Sequence, residues 1–254
     1  MSLTSYPARF GLLRLTLRTL IRQSVAPDRI LLWIAHGDLP SLPRSVLRLH
    51  QKGHIEIRGY DDIRSYKKII PAIEECPDAF VVTADDDINY RTNWLEELVE
   101  TYRANADALC VPFHRGHTVT LDGDGKPLAY SRWRWEETPT VPSRLSMPTG
   151  AGGVLYPPGC FYADVTNRVK FQELAPYADD IWLYWMVVLG GYRPVRVENA
   201  KPLKKWPTTN AGGLRELNAE QGWNDLQVKR MVDFYGSPAA IAATVDKAGS
   251  APDE

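Results

Sequence analysis

The sequence is poor in cysteine, and its three thiols, Cys76, Cys110 and Cys160, are odd in number and widely spaced. That pattern fits neither a disulfide framework nor a CxxC metal knot; it fits reduced thiols in a cytoplasmic protein. Long apolar runs are missing as well. The longest, Ile181 to Leu189, is about half of the ~20 residues a spanning helix needs, and arginines interrupt the apolar stretch near the N-terminus. Neither a membrane span nor a secretory signal is expected. An excess of one charge is also lacking, since 30 basic residues face 31 acidic ones. No overall field therefore draws the chain to nucleic acid or to an anionic membrane, and a partner has to be recognised locally. Internal repeats and low-complexity linkers are absent too.

What is present is a chain of 254 residues, 44% of them apolar, enough for the core of one large α/β domain. Met1 to Tyr6 reads as a short strand that breaks at Pro7. Leu13, Leu17, Leu20 and Ile21 then recur at helical spacing within Phe10 to Gln23. Ile30 to Ala35 is a continuous apolar run of strand length, and Ile55, Ile57 and Gly59 mark another strand. Strands alternating with helices predict a parallel sheet covered on both faces.

A fourth strand, Phe80 to Ala84, runs into Asp85, Asp86 and Asp87 before a helix from about Thr92 to Ala104. In open α/β sheets ligands bind beyond the carboxyl ends of the strands, which is where this acidic run falls. Adjacent carboxylates repel one another, and a hard divalent cation relieves that repulsion. If the run is extended, Asp85 and Asp87 point to the same side and can face one ion; otherwise it is a solvated turn. A fifth strand, Ala108 to Phe113, precedes irregular sequence from His114 to Pro148. After it come a glycine-rich turn, Thr149 to Gly153, a strand, Val154 to Tyr156, and a helix from about Asp180 to Leu189. A strand at Arg193 to Val197 follows, and the small, polar last residues, 241–254, read as a frayed tail.

ThrAlaAspAspAspIle, residues 83–88, resembles the DxD motif of GT-A glycosyltransferases. LeuThrSerTyrProAlaArg, residues 3–9, is similar to the first-strand segment that lines the nucleotide pocket in family 2 members. Asp180, Leu183, Gly191, Tyr192 and the stretch from Val195 to Ala200 resemble the family's late segment, in which an acidic pair opens a helix and a Gly-Tyr turn leads to the next strand. The resemblance covers roughly residues 2–205.

It implies a single GT-A domain over residues 1–240, a Rossmann-like, mostly parallel sheet flanked by helices. Residues 1–110 would form the nucleotide-sugar half, 111–205 the acceptor and catalytic half, and 206–240 a C-terminal arm. The implied activity is transfer of a sugar from a nucleoside-diphosphate donor to a hydroxyl of a carbohydrate or lipid-linked glycan, in glycan or surface polysaccharide synthesis. Mn²⁺ or Mg²⁺ would be held by Asp85 and Asp87. Thr4, Ser5, Tyr6, Arg9, Asp85 and Asp86 would meet the donor, and so would Lys67 or Lys68, which otherwise form a solvated basic turn. Asp180, paired with Asp179, aligns with the catalytic base, so the reaction would invert the anomeric centre; the plainer reading of the pair is a helix N-cap. Gly152 and Gly153 would lie near the sugar, between donor and acceptor. Trp133, Trp135, Tyr156, Trp182 and Trp185 are candidate stacking surfaces, with Trp182 assigned to the acceptor.

Two departures matter. Many GT-A enzymes take a metal ligand from a late histidine, and none follows His117; water, donor phosphates or another side chain would complete the shell. The QxxRW signature of processive synthases is missing, which points to single or limited additions. Arg14, Arg18 and Arg22 form a basic stripe on the first helix, either a solvated face or a contact with the inner face of an anionic membrane. Two other functions stay open, a sugar-nucleotide nucleotidyltransferase and an inactive carbohydrate-binding scaffold.

Overall fold

A computed structural model describes residues 1–207 and 222–248 of the chain. In order, its elements are β1 (Ser2–Thr4), α1 (Phe10–Ile21), β2 (Leu31–Ala35), α2 (Arg44–Gln51) and β3 (Glu56–Tyr60). Then come α3 (Ile70–Glu75), β4 (Val81–Thr83), β5 (Ile88–Asn89), α4 (Trp94–Ala104), β6 (Cys110–Phe113) and β7 (Gly116–Thr118). The later part holds β8 (Arg134–Trp135), β9 (Ser146–Pro148), β10 (Val154–Tyr156), α5 (Arg168–Leu174) and α6 (Asp179–Leu189). It closes with β11 (Arg193–Arg196), β12 (Lys204–Lys205), α7 (Trp223–Tyr235) and α8 (Pro238–Ala248).

Seven strands form the central sheet in the order β11-β6-β10-β4-β1-β2-β3. All neighbours run parallel except β10, which is antiparallel to both β4 and β6. The chain leaves β1 towards β2 and β3, then returns to place β4 on the other side of β1. The strand order reverses there, so the loops after β1 and β4 diverge and open a crevice.

Alternation along the strands builds two cores. Leu31 and Trp33 face one layer while Leu32 and Ile34 face the other, and Val154 and Tyr156 oppose Leu155 in the same way. One core contains Leu13, Leu17 and Leu20 of α1, Val46 of α2 and Leu98 of α4. The second gathers residues of α3 and α5 to α8, including Ile181 to Val188 of α6. Helix α6 is buried almost all round, which is why its sequence shows a continuous apolar run rather than one stripe. Each large side chain fully buried here stabilises the fold by about 1.5–3 kcal/mol.

Three expectations are corrected. The strand after the glycine turn lies antiparallel inside the sheet, because the chain returns to β4 from the carboxyl side. The stretch 114–148, read as irregular, contains a three-stranded sheet in the order β8-β7-β9; strands of two or three residues are too short to show a period. Residues 241–248, read as tail, belong to α8, and Ile241 is buried against the second core. The remainder of that predicted tail, 249–254, and part of the C-terminal arm, 208–221, lie outside the described residues. Among the described residues no helix is long and apolar enough to cross a membrane.

Candidate active site

The triple aspartate sits where β4 ends, in a turn rather than an extended run. Its three carboxylates therefore diverge, which removes the argument that alternation points Asp85 and Asp87 at one ion. Asp86 and Asp87 turn towards the first-strand segment. The Ser5 hydroxyl donates to Asp86 at 2.6 Å, and Arg9 lies 3.2 Å from Asp86 and 2.8 Å from Asp87. Asp85 points the other way and meets the Lys68 ammonium at 3.2 Å. Its backbone N–H donates to the buried hydroxyl of Tyr90 at 2.7 Å, which fixes the start of the turn.

The late acidic pair reaches the same place. Asp179 and Asp180 open α6, but neither side chain caps the helix. Asp179 lies 3.1 Å from the Lys68 ammonium, and Asp180 accepts a 2.8 Å hydrogen bond from the backbone N–H of Gly150. Lys68, itself almost fully buried, thus joins the acid after β4 to the acid pair of α6. The bare Cα of Gly150 leaves room for this contact: a Cβ there would stand 2.4 Å from Lys68 Nζ and 2.9 Å from an Asp180 oxygen.

Burial sets the charge states. Desolvation, reinforced by Asp179 and Asp85 and opposed by Lys68, pushes Asp180 up to about 7. Desolvation also raises Asp86 to about 6, against the lowering influence of Ser5 and Arg9. A carboxyl that titrates near neutral pH is suited to take up a proton and give it back.

A late segment completes the wall. Strand β12 pairs antiparallel with β5, bringing Lys205 within 3.5 Å of Asp87. The Trp206 N–H donates to the Asp87 carbonyl, and its indole donates to Thr16 Oγ1, whose hydroxyl donates to the Asp86 carbonyl. Sequence reasoning missed Gly150, Thr16, Tyr90, Lys205 and Trp206. Gly150 lay in the glycine turn already noted, with nothing to set it apart from Gly152 and Gly153, and a two-residue strand leaves no pattern.

Several predicted site residues lie elsewhere. Trp182 is fully buried, donates to the Val165 carbonyl at 3.0 Å and packs edge-on against Phe171 and Tyr235. It is a core residue, and the acceptor assignment is withdrawn. Trp133, Tyr156 and Trp185 are buried as well, whereas Trp135 is 41% exposed. Gly152 and Gly153 owe their identity to internal packing. A Cβ on Gly152 would lie 2.6 Å from the Arg115 backbone, and one on Gly153, at φ +89°, would lie 2.2 Å from the Trp94 ring. Lys67 pairs with Asp62, away from the acids. Thr4 donates to the Trp33 carbonyl, and exposed Tyr6 accepts from Arg9. A recess of about 300 Å³ lined by Asp62, Arg64, Tyr66, Phe171 and Tyr177, among others, includes none of the clustered acids.

A divalent cation has to be judged on the donor set. Asp85, Asp86, Asp87, Asp179 and Asp180 face Arg9, Lys68 and Lys205, which leaves negative charge in excess and fits a cation. Among the described residues no group of three His, Cys, Asp or Glu side chains stands ready to hold one. Asp85 is the most accessible carboxylate of the triplet, 27% exposed against 8% for its neighbours.

No protein-family model matches the sequence, and no curated protein does. Solved structures do match. S. aureus TarS 1–349 in complex with UDP-GlcNAc superposes with a TM-score of 0.53 at 13% identity, over 95% of this chain and 69% of that one. S. aureus TarS 1–349 alone gives 0.53 at 12% identity, over 95% and 68%. The chain has the GT-A glycosyltransferase fold, with its mostly parallel sheet and its acids in the crevice between β1 and β4.

Proposed function

We propose that this chain is a glycosyltransferase that moves a sugar from a nucleoside-diphosphate donor to an acceptor hydroxyl with inversion. One observation carries the reading: acids from two distant parts of the sequence, Asp85 and Asp179, meet on Lys68 at the sheet's switch point, with Asp180 beside them. A neighbour of the same fold bound to UDP-GlcNAc supports a nucleotide-sugar donor. Residues 1–110 supply the donor side, through Ser5, Arg9 and the triple aspartate, and residues 111–205 the acceptor side.

Asp180 is the base. Its carboxylate, oriented by the Gly150 N–H, takes the acceptor hydroxyl's proton as that oxygen attacks the anomeric carbon and the diphosphate leaves from the opposite face. Asp85 is the place for Mn²⁺ or Mg²⁺; an ion bound there would offset charge developing on the diphosphate. An ion also shared by Asp87 would have to displace Arg9 and Lys205 from it. Arg14, Arg18 and Arg22, on the solvent side of α1, supply an optional contact with anionic lipid carrying the acceptor.

The test is incubation with UDP-, GDP- and dTDP-sugars and Mn²⁺, following nucleoside-diphosphate release with and without candidate acceptors. Release that requires Asp180 supports the proposal. Pyrophosphate release would instead indicate a nucleotidyltransferase, and silence from folded protein across the panel would indicate a scaffold.

A further inference from the structure

Lys68 occupies a position that donor binding alone does not explain. Its ammonium is buried among carboxylates: it stands 3.2 Å from Asp85 and 3.1 Å from Asp179. The missing side chain of Gly150 is what leaves room for it beside Asp180. Asp85 follows β4 and Asp179 opens α6, so the ammonium is the described ionic link between the donor-side turn and the catalytic helix. We propose that Lys68 is a positioning residue, a charged strut that fixes the Asp179–Asp180 pair against Asp85 and so holds the base in place. This rests on the transferase reading for the word base, but the strut itself can be tested without turnover.

The physical reasoning is local. Asp180 lies beside a second carboxylate, Asp179, on its own helix, and Asp85 adds further negative potential from the turn after β4. Tyr66, Tyr130 and Tyr156 face the same cluster from the segments before α3, before β8 and on β10. Neutral phenols do not offset the repulsion. Lys68 is the cation that acts on Asp180, and it opposes both the burial and the like charges. The neighbouring Lys67 cannot substitute, because it is committed to Asp62.

The experiment is a ¹³C NMR titration of aspartate-labelled, metal-free protein, with the Asp180 carboxyl signal assigned by its loss in Asp180→Asn. In Lys68→Met the midpoint should rise by on the order of one pH unit or more, while Lys68→Arg should return it to the parent value. Because Lys68→Met leaves three carboxylates without their cation, Asp85→Asn provides a second variant at an accessible position, and there the midpoint should fall. An Asp180 midpoint unmoved in folded Lys68→Met, or in Asp85→Asn if the former does not fold, overturns the strut. If the midpoints move as stated but no nucleotide-sugar is turned over, the strut stands and the transferase reading fails. If turnover is present, its acid limb should follow the NMR midpoint upward in Lys68→Met, with donor KM within about twofold; a uniform loss at every pH would count against the proposal.

Discussion

Replacing Asp180 by Asn should abolish turnover and make the protein more stable at the same time. The carboxyl is pushed from an ordinary value of 3.8 up to about 7. A folded-state value above the unfolded one means that the native state holds the proton more tightly. The parent therefore loses stability as pH rises from about 4 to about 7, and the loss is complete above that range. Three units at about 1.4 kcal/mol each set a ceiling of about 4 kcal/mol. That value already includes the opposing pull of Lys68; what is given back, about 1–3 kcal/mol, is the burial of the Asn side-chain NH2 group. Asn can still accept from the Gly150 N–H. A net gain of about 1–2 kcal/mol remains, which for a domain of this size corresponds to a rise in Tm of roughly 2–8 °C. Thermal melts of parent and variant at pH 8 should show it, and melts towards pH 4 should show the difference shrinking to nothing. A variant no more stable than the parent at pH 8, or a gain independent of pH, would refute this account of Asp180.

Gly150→Ala should fold, because the added Cβ meets only the movable ends of Lys68 and Asp180; turnover should fall at least about tenfold through misplacement of the base, read as kcat at unchanged melting temperature. Gly153→Ala should do the reverse, costing stability because its Cβ would enter the Trp94 ring at a left-handed φ of +89°. Trp182→Ala should lose about 3–5 kcal/mol in a denaturant titration, whereas half-exposed Trp135→Ala should lose under about 1 kcal/mol. Asp85→Ala should weaken Mn²⁺-dependent donor binding in calorimetry, and equal binding with and without the ion in parent and variant would remove Asp85 from the metal assignment. Replacing Arg14, Arg18 and Arg22 together by Glu should abolish flotation with phosphatidylglycerol vesicles; a parent that does not float ends the membrane reading.

Much of the architecture could be read from period and position. Leu31 to Ala35 announced a strand buried on both faces, and the acids after β4 fell at a sheet's carboxyl edge, which is where the crevice lies. The acidic pair at 179–180 was singled out by the family resemblance, since its place at a helix start reads by itself only as a cap. Finer choices were hidden for physical reasons. Lys67 and Lys68 are adjacent in one 3-10 turn (Arg64–Lys68), and only the tertiary position of Asp62 and Asp179 decides which faces the acids. Of the three glycines from Gly150 to Gly153, each has a different neighbour, and sequence gives no hint of which neighbour is the site. Trp182 looked like a binding surface because composition does not distinguish a buried aromatic from an exposed one. The antiparallel entry of β10 was lost because three residues, Val154 to Tyr156, read the same in either direction.

The ribbon of β12 on β5 also bears on how the protein can be shortened. Trp206 reaches Thr16 and the backbone of Asp87 from far along the chain, so a fragment cut after the last strand of the main sheet would retain every strand of that sheet yet lose one wall of the crevice. Such a fragment would also lose α7 and α8, whose Val228, Met231 and Ile241 pack into the second core. Expression boundaries for donor-binding work therefore belong beyond α8, however dispensable the stretch after β11 looks on hydropathy alone.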